Sequence, residues 1–184
     1  GTFTDIAAFD PKSGRLHFGK TLSTPESLID GIAEGTQKAD TKFADAGIFL
    51  HGSTIAINTM LERTGAKTAL LITEGFRDIY EIGRVNRPDS YNLFFQKHEP
   101  LVERALRFEV TERLFAEGEV YKPLDEAQVR QTCQRLKEEG VEAVAILLLH
   151  CYANPAHELR VCEIVEEELP GAFVSTSHEL SQEY

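Results

Sequence analysis

VEAVAILLLH (residues 141–150) decides how the rest of this chain is read. From Ala143 onward the stretch is apolar without alternation until His150. It is far short of the roughly 20 residues that cross a bilayer. A short run lacking polar positions is what a strand covered on both faces of a sheet requires. Its flanks agree. Upstream, Asp125 caps a helix whose Val129, Cys133 and Leu136 share one face, and Gly140 ends it. Downstream, Asn154-Pro155 opens a second helix with Leu159, Cys162 and Val165 facing inward. Pro170-Gly171 stops that helix, and residues 172–175 begin another strand. Helix, strand, helix, strand predicts an α/β fold: a mixed sheet with flanking helices.

Working back toward the start, residues 2–10 read as a strand and Asp10-Pro11-Lys12-Ser13-Gly14 as a turn. Residues 15–22 return with polar–apolar alternation, so the first element is a β-hairpin. Thr24-Pro25-Glu26 starts a helix with Leu28, Ile29, Ile32 and Ala33 on its buried face. Residues 47–50 read as a short strand, 55–63 as a helix stopped by Gly65, and 67–73 as a buried strand. The expected organisation is an N-terminal α/β unit (1–75), an irregular connecting region (76–123) and a C-terminal α/β unit (124–184).

A net charge of −11 gives no basic field for a phosphate backbone, which excludes a nucleic-acid partner. The three cysteines, Cys133, Cys151 and Cys162, are odd in number and widely spaced. That pattern fits free thiols in a reducing cytoplasm, not a disulfide framework. No stretch reads as a membrane span or a leader, so a cytoplasmic location without membrane attachment is expected.

Four stretches bear on chemistry. "GTFTD" (1–5) places a glycine-led turn and the hydroxyls of Thr2 and Thr4 ahead of a strand. Such a turn suits phosphate oxygens, with Asp5 holding Mg²⁺ or its water; a threonine-rich strand start with a solvated aspartate is the plainer reading. "HGST" (51–54) sits where a strand meets a helix, which makes Ser53 and Thr54 candidate anion contacts or simple helix caps. Arg77, Arg84 and Arg87 are expected either to converge on an anion or to make surface pairs, such as one between Arg77 and Glu81 four residues on. In residues 148–158, His150 and His157 match no zinc-ligand spacing. Cys151 and His150 point to opposite faces of a strand, so structural roles are assigned there: Asn154 as a cap and Tyr152 as packing.

Together the stretches GTFTDI, HGSTIAINTMLERTGAKTALLITEGFRDIYEIGR, LRFEVTER, PLDE, GVEAVAILLLHCYANPAHE and VSTSHELSQEY resemble the hydantoinase A/5-oxoprolinase family, in order along the whole chain. The same N-terminal region occurs in acetone and acetophenone carboxylase subunits. The resemblance implies an actin-like (ribonuclease H-like) ATPase architecture and the N-terminal part of a larger protein. It implies ATP and Mg²⁺ as cofactors, used to activate an amide or carbonyl oxygen by phosphorylation.

Gly1, Thr2, Thr4 and Asp5 match the second half of the family's D-x-G-G-T-x-T-D phosphate loop. "HGST" stands for its H-G-T-T, with Ser53 keeping the hydroxyl, and Cys151 stands where serine is frequent. On this resemblance Asp5 is the catalytic and metal-holding residue. Gly1, Thr2, Thr4, Ser53, Thr54, Asn58, Arg77 and Arg84 contact the cofactor. The expected activity is ATP-dependent hydrolysis of a cyclic amide, or carboxylation of a ketone. A non-catalytic docking module is the third reading. The expected partners are that small substrate and a second, HyuB-type subunit, in an oligomer of the full-length form. The chain alone is expected to have little or no activity.

Overall fold

The computed structural model describes residues 2–82, 91–96 and 99–181, and these form two compact units, Gly1–Arg63 and Thr64–Tyr184.

In the first unit, strand β1 (Phe3–Asp10) pairs antiparallel with β2 (Arg15–Leu22), in register from Phe3 opposite Leu22 to Asp10 opposite Arg15. The turn forms as its residues predict. Gly14 takes a φ of 69° and its N–H donates to Asp10 O at 2.8 Å. The Asp10 carboxylate accepts from Ser13 Oγ (2.5 Å) and Lys12 N (2.9 Å), and these bonds hold its pKa below the ordinary value.

Helix α1 (Leu28–Lys38) lies against one face of this hairpin. It begins at Leu28 and not at Pro25 because residues 24–27 close a turn, in which Ser27 N donates to Thr24 O at 3.0 Å. Thr24 Oγ1 then accepts from Gly31 N (2.9 Å), inside the first turns. The contact with the hairpin is set by two glycines. A Cβ on Gly19 would stand 2.0 Å from Gly35 O, and one on Gly35 would stand 2.8 Å from Ile6 Cγ1. Backbone meets backbone at Gly19, so nothing there yields by changing a rotamer. Gly19→Ala is therefore expected to destabilise the first unit by about 1–3 kcal/mol. The measure is a lowered urea midpoint, and an unchanged midpoint would contradict this packing.

The expected strand at 47–50 does not form. The segment belongs to no sheet, and Ile48, Phe49 and Leu50 are exposed. A strand exists only with a hydrogen-bonded neighbour, and apolar composition alone supplies none. Helix α2 (Ile55–Glu62) follows, ending at Arg63 in a left-handed conformation (φ 53°).

The second unit is built on a parallel sheet. Its strands are β3 (Thr68–Thr73), β4 (Arg107–Val110), β7 (Ala143–Leu147) and β8 (Phe173–Thr176), in the spatial order β4-β3-β7-β8. Between β4 and β7 come a small antiparallel pair, β5 (Arg113–Leu114) and β6 (Val120–Lys122), and helix α3 (Glu126–Glu138). Helix α4 (Ala156–Glu168) joins β7 to β8, and the short α5 (Ser177–Leu180) follows β8.

Asp125 caps α3 as its position predicts, Oδ1 accepting from Gln128 N at 3.0 Å. Helices α3 and α4 pack on each other, and Arg160 forks Glu126 across them at 2.9 and 2.7 Å. The core takes alternate residues of the apolar run: Val144 and Ile146 are buried while Leu147 is 46% exposed, so β7 is not covered equally on both faces as expected. Val144 and Ile146 of β7 and Leu71 of β3 pack with Val129, Cys133 and Leu136 of α3 and Val161, Ile164 and Val165 of α4. All three cysteines are free thiols; burial pushes Cys133 up to about 11.

Candidate functional site

A groove of about 1080 Å³ opens in the first unit between β1 and the segment running into α2. Thr4, Asp5, Ser53 and Thr54 all line it, so the structure brings together residues almost fifty positions apart in the chain. Strand parity decides how β1 presents them. Thr4 lies on the half-buried face with Ile6, which packs on α1, and its Oγ1 is 3.1 Å from Ser23 Oγ. Asp5 lies on the opposite face, with its side chain 67% exposed and 3.3 Å from Lys20 Nζ. Lys20 also sits over the Phe3 ring, 4.6 Å from its centroid.

Across the groove, Ser53 Oγ accepts from Ile55 N at 3.3 Å, and Thr54 Oγ1 accepts from Asn58 Nδ2 at 3.4 Å. Ser53 thus does the modest capping work its position suggested, while Thr54, the N-cap of α2, makes no side-chain cap bond. A helix leaves its first N–H groups without partners inside the helix, and here Ser53 Oγ takes that of Ile55. Asn58 stands one turn into α2 and meets the groove through Thr54. Thr2 is exposed, and its carbonyl accepts from Ser23 N at 2.9 Å. Gly1 and Arg84 lie outside the described residues. Arg77 belongs to the second unit, where its Nη2 donates to Arg104 O at 2.8 Å.

The donor set can be tested against ATP and Mg²⁺. Among the described residues there is no group of three or more His, Cys, Asp or Glu side chains arranged to hold a metal. Asp5 is a single accessible carboxylate among the residues that line the groove. Mg²⁺ usually takes one or two carboxylates and fills its shell with phosphate oxygens and water. The residues therefore fit a metal that arrives with the nucleotide, and do not form a preset cage.

A second concentration of polar side chains lies at the carboxyl ends of the parallel strands. Glu112, just past β4, is 1% exposed and accepts from Thr73 Oγ1 at the end of β3 and from His157 Nδ1 (2.8 Å). Glu158 is fully buried. Its Oε1 accepts from Leu148 N (2.9 Å) and Ser177 Oγ (2.6 Å), its Oε2 from His178 N (3.0 Å) and His178 Nδ1 (2.8 Å). The consecutive pair His157-Glu158, in the first turn of α4, thereby ties together the ends of all four strands.

Sequence reading passed over this pair because its partners lie 10 to 45 residues away. The one local signal was two titratable residues opening a helix directly after a buried strand. Asn154 caps as expected, Oδ1 accepting from Ala156 N at 3.1 Å. Tyr152 does more than pack: its hydroxyl is 3.1 Å from His150 Nδ1.

Comparison with known proteins gives the family and the fold. The family model for the hydantoinase/oxoprolinase N-terminal region matches residues 1–169. The chain is 34% identical to the caprolactamase subunit alpha of Pseudomonas jessenii, over 98% of this chain and 27% of that protein. It superposes on the crystal structure of the ATP-dependent caprolactamase from that organism with a TM-score of 0.81 and 32% identity, covering 100% of this chain and 28% of that one. A nucleotide-free acetone carboxylase structure, from work on ATP-dependent acetone carboxylation, gives the same TM-score at 28% identity over 100% and 28% of the two chains. The chain thus has the α/β fold of these structures and spans a little over a quarter of their length. Among the described residues no helix is long and apolar enough to cross a membrane.

Proposed function

Because the chain belongs to the hydantoinase/oxoprolinase family, we propose that it is the N-terminal region of an ATP-dependent subunit that opens a cyclic amide by phosphorylating its carbonyl oxygen. The observation that carries this reading is the groove that gathers Thr4, Asp5, Ser53 and Thr54.

The chemistry explains why those residue types are wanted. An amide is a poor electrophile, and ATP, when bound with Mg²⁺, supplies the phosphoryl group that turns its oxygen into a leaving group. Positioning and charge neutralisation are then what the protein must contribute. Asp5 offers the carboxylate for the metal. The hydroxyls of Thr4, Ser53 and Thr54 offer donors to phosphate oxygens, and the start of α2 adds backbone N–H groups. Asn58 steadies Thr54 from the next turn. On the family resemblance alone, Gly1, Thr2, Arg77 and Arg84 are further proposed cofactor contacts. A second, HyuB-type subunit, an oligomeric full-length form and a cytoplasmic location belong to the same reading.

A ketone carboxylase is the second reading, favoured by the likeness to acetone carboxylase. The test is ATP consumption by the full-length assembly with caprolactam, 5-oxoproline or hydantoin, set against acetone with bicarbonate. Consumption with a cyclic amide supports the first reading, and consumption only with the ketone moves the assignment to the second. ATP turnover with neither would leave a docking module.

A further inference from the structure

The groove of the first unit is larger than a few phosphate contacts need. At about 1080 Å³ it stands at the top of the roughly 300–1,000 Å³ range of pockets that enclose a whole small molecule. Thr4, Asp5, Ser53 and Thr54 make one polar part of its lining, and the segment that forms no strand supplies an aromatic part. Phe43 opens a short 3₁₀ turn (Phe43–Asp45), closed by Ala46 N donating to Phe43 O at 3.1 Å. The Phe49 ring meets Phe43 edge-on, with centroids 5.3 Å apart and planes at 76°. Phe49 also stacks with His51, at 6.5 Å between centroids and 17° between planes. All three rings line the groove, and Phe43 and Phe49 are each about half exposed. They form one wall that ends two residues before Ser53. Aromatic surface left in water within a concave site gains by covering apolar ligand surface.

Charge then selects among occupants. Asp5, Asp10, Asp40 and Asp45 line the groove, and Lys42 is the one lysine or arginine among the described residues that line it. Lys20, 3.3 Å from Asp5, answers that carboxylate. Three aspartates are left facing one lysine, a field that repels an anionic group unless a metal carries it. Position narrows the choice further. On the ATP-dependent reading, Asp5 and the hydroxyls meet the metal-bound terminal phosphates. Two residues of chain span at most about 7 Å, so His51 stands beside Ser53 at that end, where the phosphoryl acceptor and not the adenine has to be.

We propose that the wall of Phe43, Phe49 and His51 seats the hydrocarbon ring of the amide substrate, and that this substrate is a neutral lactam, not one bearing a carboxylate. The inference rests on the cyclic-amide reading above. The ring methylenes lose water against the aromatic wall, and the amide oxygen is left toward the polar part of the groove that holds Ser53 and Thr54. A carboxylate on the ring would leave water among aspartates with Lys42 as its one cation, and no other contact in the groove offsets that cost. Phe49, which touches both of the other rings, is the residue that sets specificity for the ring.

The experiment follows ATP-dependent ring opening by the full-length assembly. The substrates are 2-pyrrolidone, 2-piperidone and caprolactam, which differ by one ring methylene each, and 5-oxoproline, which is 2-pyrrolidone carrying a carboxylate. In the wild type, kcat/KM for 2-pyrrolidone should exceed that for 5-oxoproline by on the order of tenfold or more. Phe49→Ala should melt like the wild type, since Phe49 is half exposed, and should keep its KM for ATP. Its loss in kcat/KM, taken against the wild type on the same lactam, should grow by up to about fourfold for each added methylene. Phe49→Leu, which keeps an apolar face, should recover part of that loss. A loss equal for all three rings, a raised KM for ATP with the lactam KM unchanged, or 5-oxoproline opened as well as 2-pyrrolidone overturns the ring seat and leaves the cyclic-amide reading standing. A wild-type assembly that consumes ATP with none of the four amides overturns both.

Discussion

Glu158→Ala is expected to cost the second unit about 3–5 kcal/mol, the scale found when one partner of a buried charged group is removed. Glu158 has no exposed surface, and four donors converge on it: Leu148 N, Ser177 Oγ, His178 N and His178 Nδ1. Alanine orphans all four at once in a place water does not reach, and each lost partner carries a desolvation cost. The loss is a large share of the 5–15 kcal/mol that typically separates folded from unfolded. The measurement is thermal and urea unfolding of the chain, with Glu158→Gln beside it. Glutamine keeps one acceptor oxygen and should lose distinctly less. A cost under about 1 kcal/mol for Glu158→Ala would show that the strand ends hold without this carboxylate.

Thr4→Ala combined with Asp5→Asn should lower ATP turnover of the full-length enzyme by on the order of 10²–10³-fold or more, the effect of losing even one well-placed polar group from a transition state. The fold should be nearly untouched. Thr4 gives up a single hydroxyl contact with Ser23, and the exposed Asp5–Lys20 pair is of a kind worth about 0–1 kcal/mol. A fall in turnover with an unchanged melting curve therefore reports chemistry and not unfolding. Thr4→Ser, which keeps the oxygen, should recover most of the activity in the presence of native Asp5. Unchanged turnover in the double variant would remove the phosphate-loop role of β1 and favour the docking module.

Much of the architecture was legible because it is encoded locally. The hairpin follows from alternation on both sides of a Pro-Lys-Ser-Gly turn, and α3 from a capping aspartate with apolar residues at helical spacing. The parallel sheet follows from the unbroken run that becomes β7. The same local logic failed at residues 47–50, where an apolar tetrapeptide reads as a strand and the structure gives it no neighbour. The site was legible to the extent that Thr4, Asp5, Ser53 and Thr54 lie in recognisable stretches. That they line one groove was not, since no short-range pattern links residue 5 to residue 53.

By itself the sequence determined most of the element types, the α/β class and the family, because turn chemistry, caps and hydrophobic period act within a few residues. Only the tertiary structure decided which carboxylates are buried. Glu112 and Glu158 look like any other glutamates among the 30 acidic residues of this chain. They are set apart by donors contributed from other strand ends, as far as 45 residues away along the chain. A charge enters a protein interior only when its partners are assembled around it, and that assembly is a property of the folded sheet.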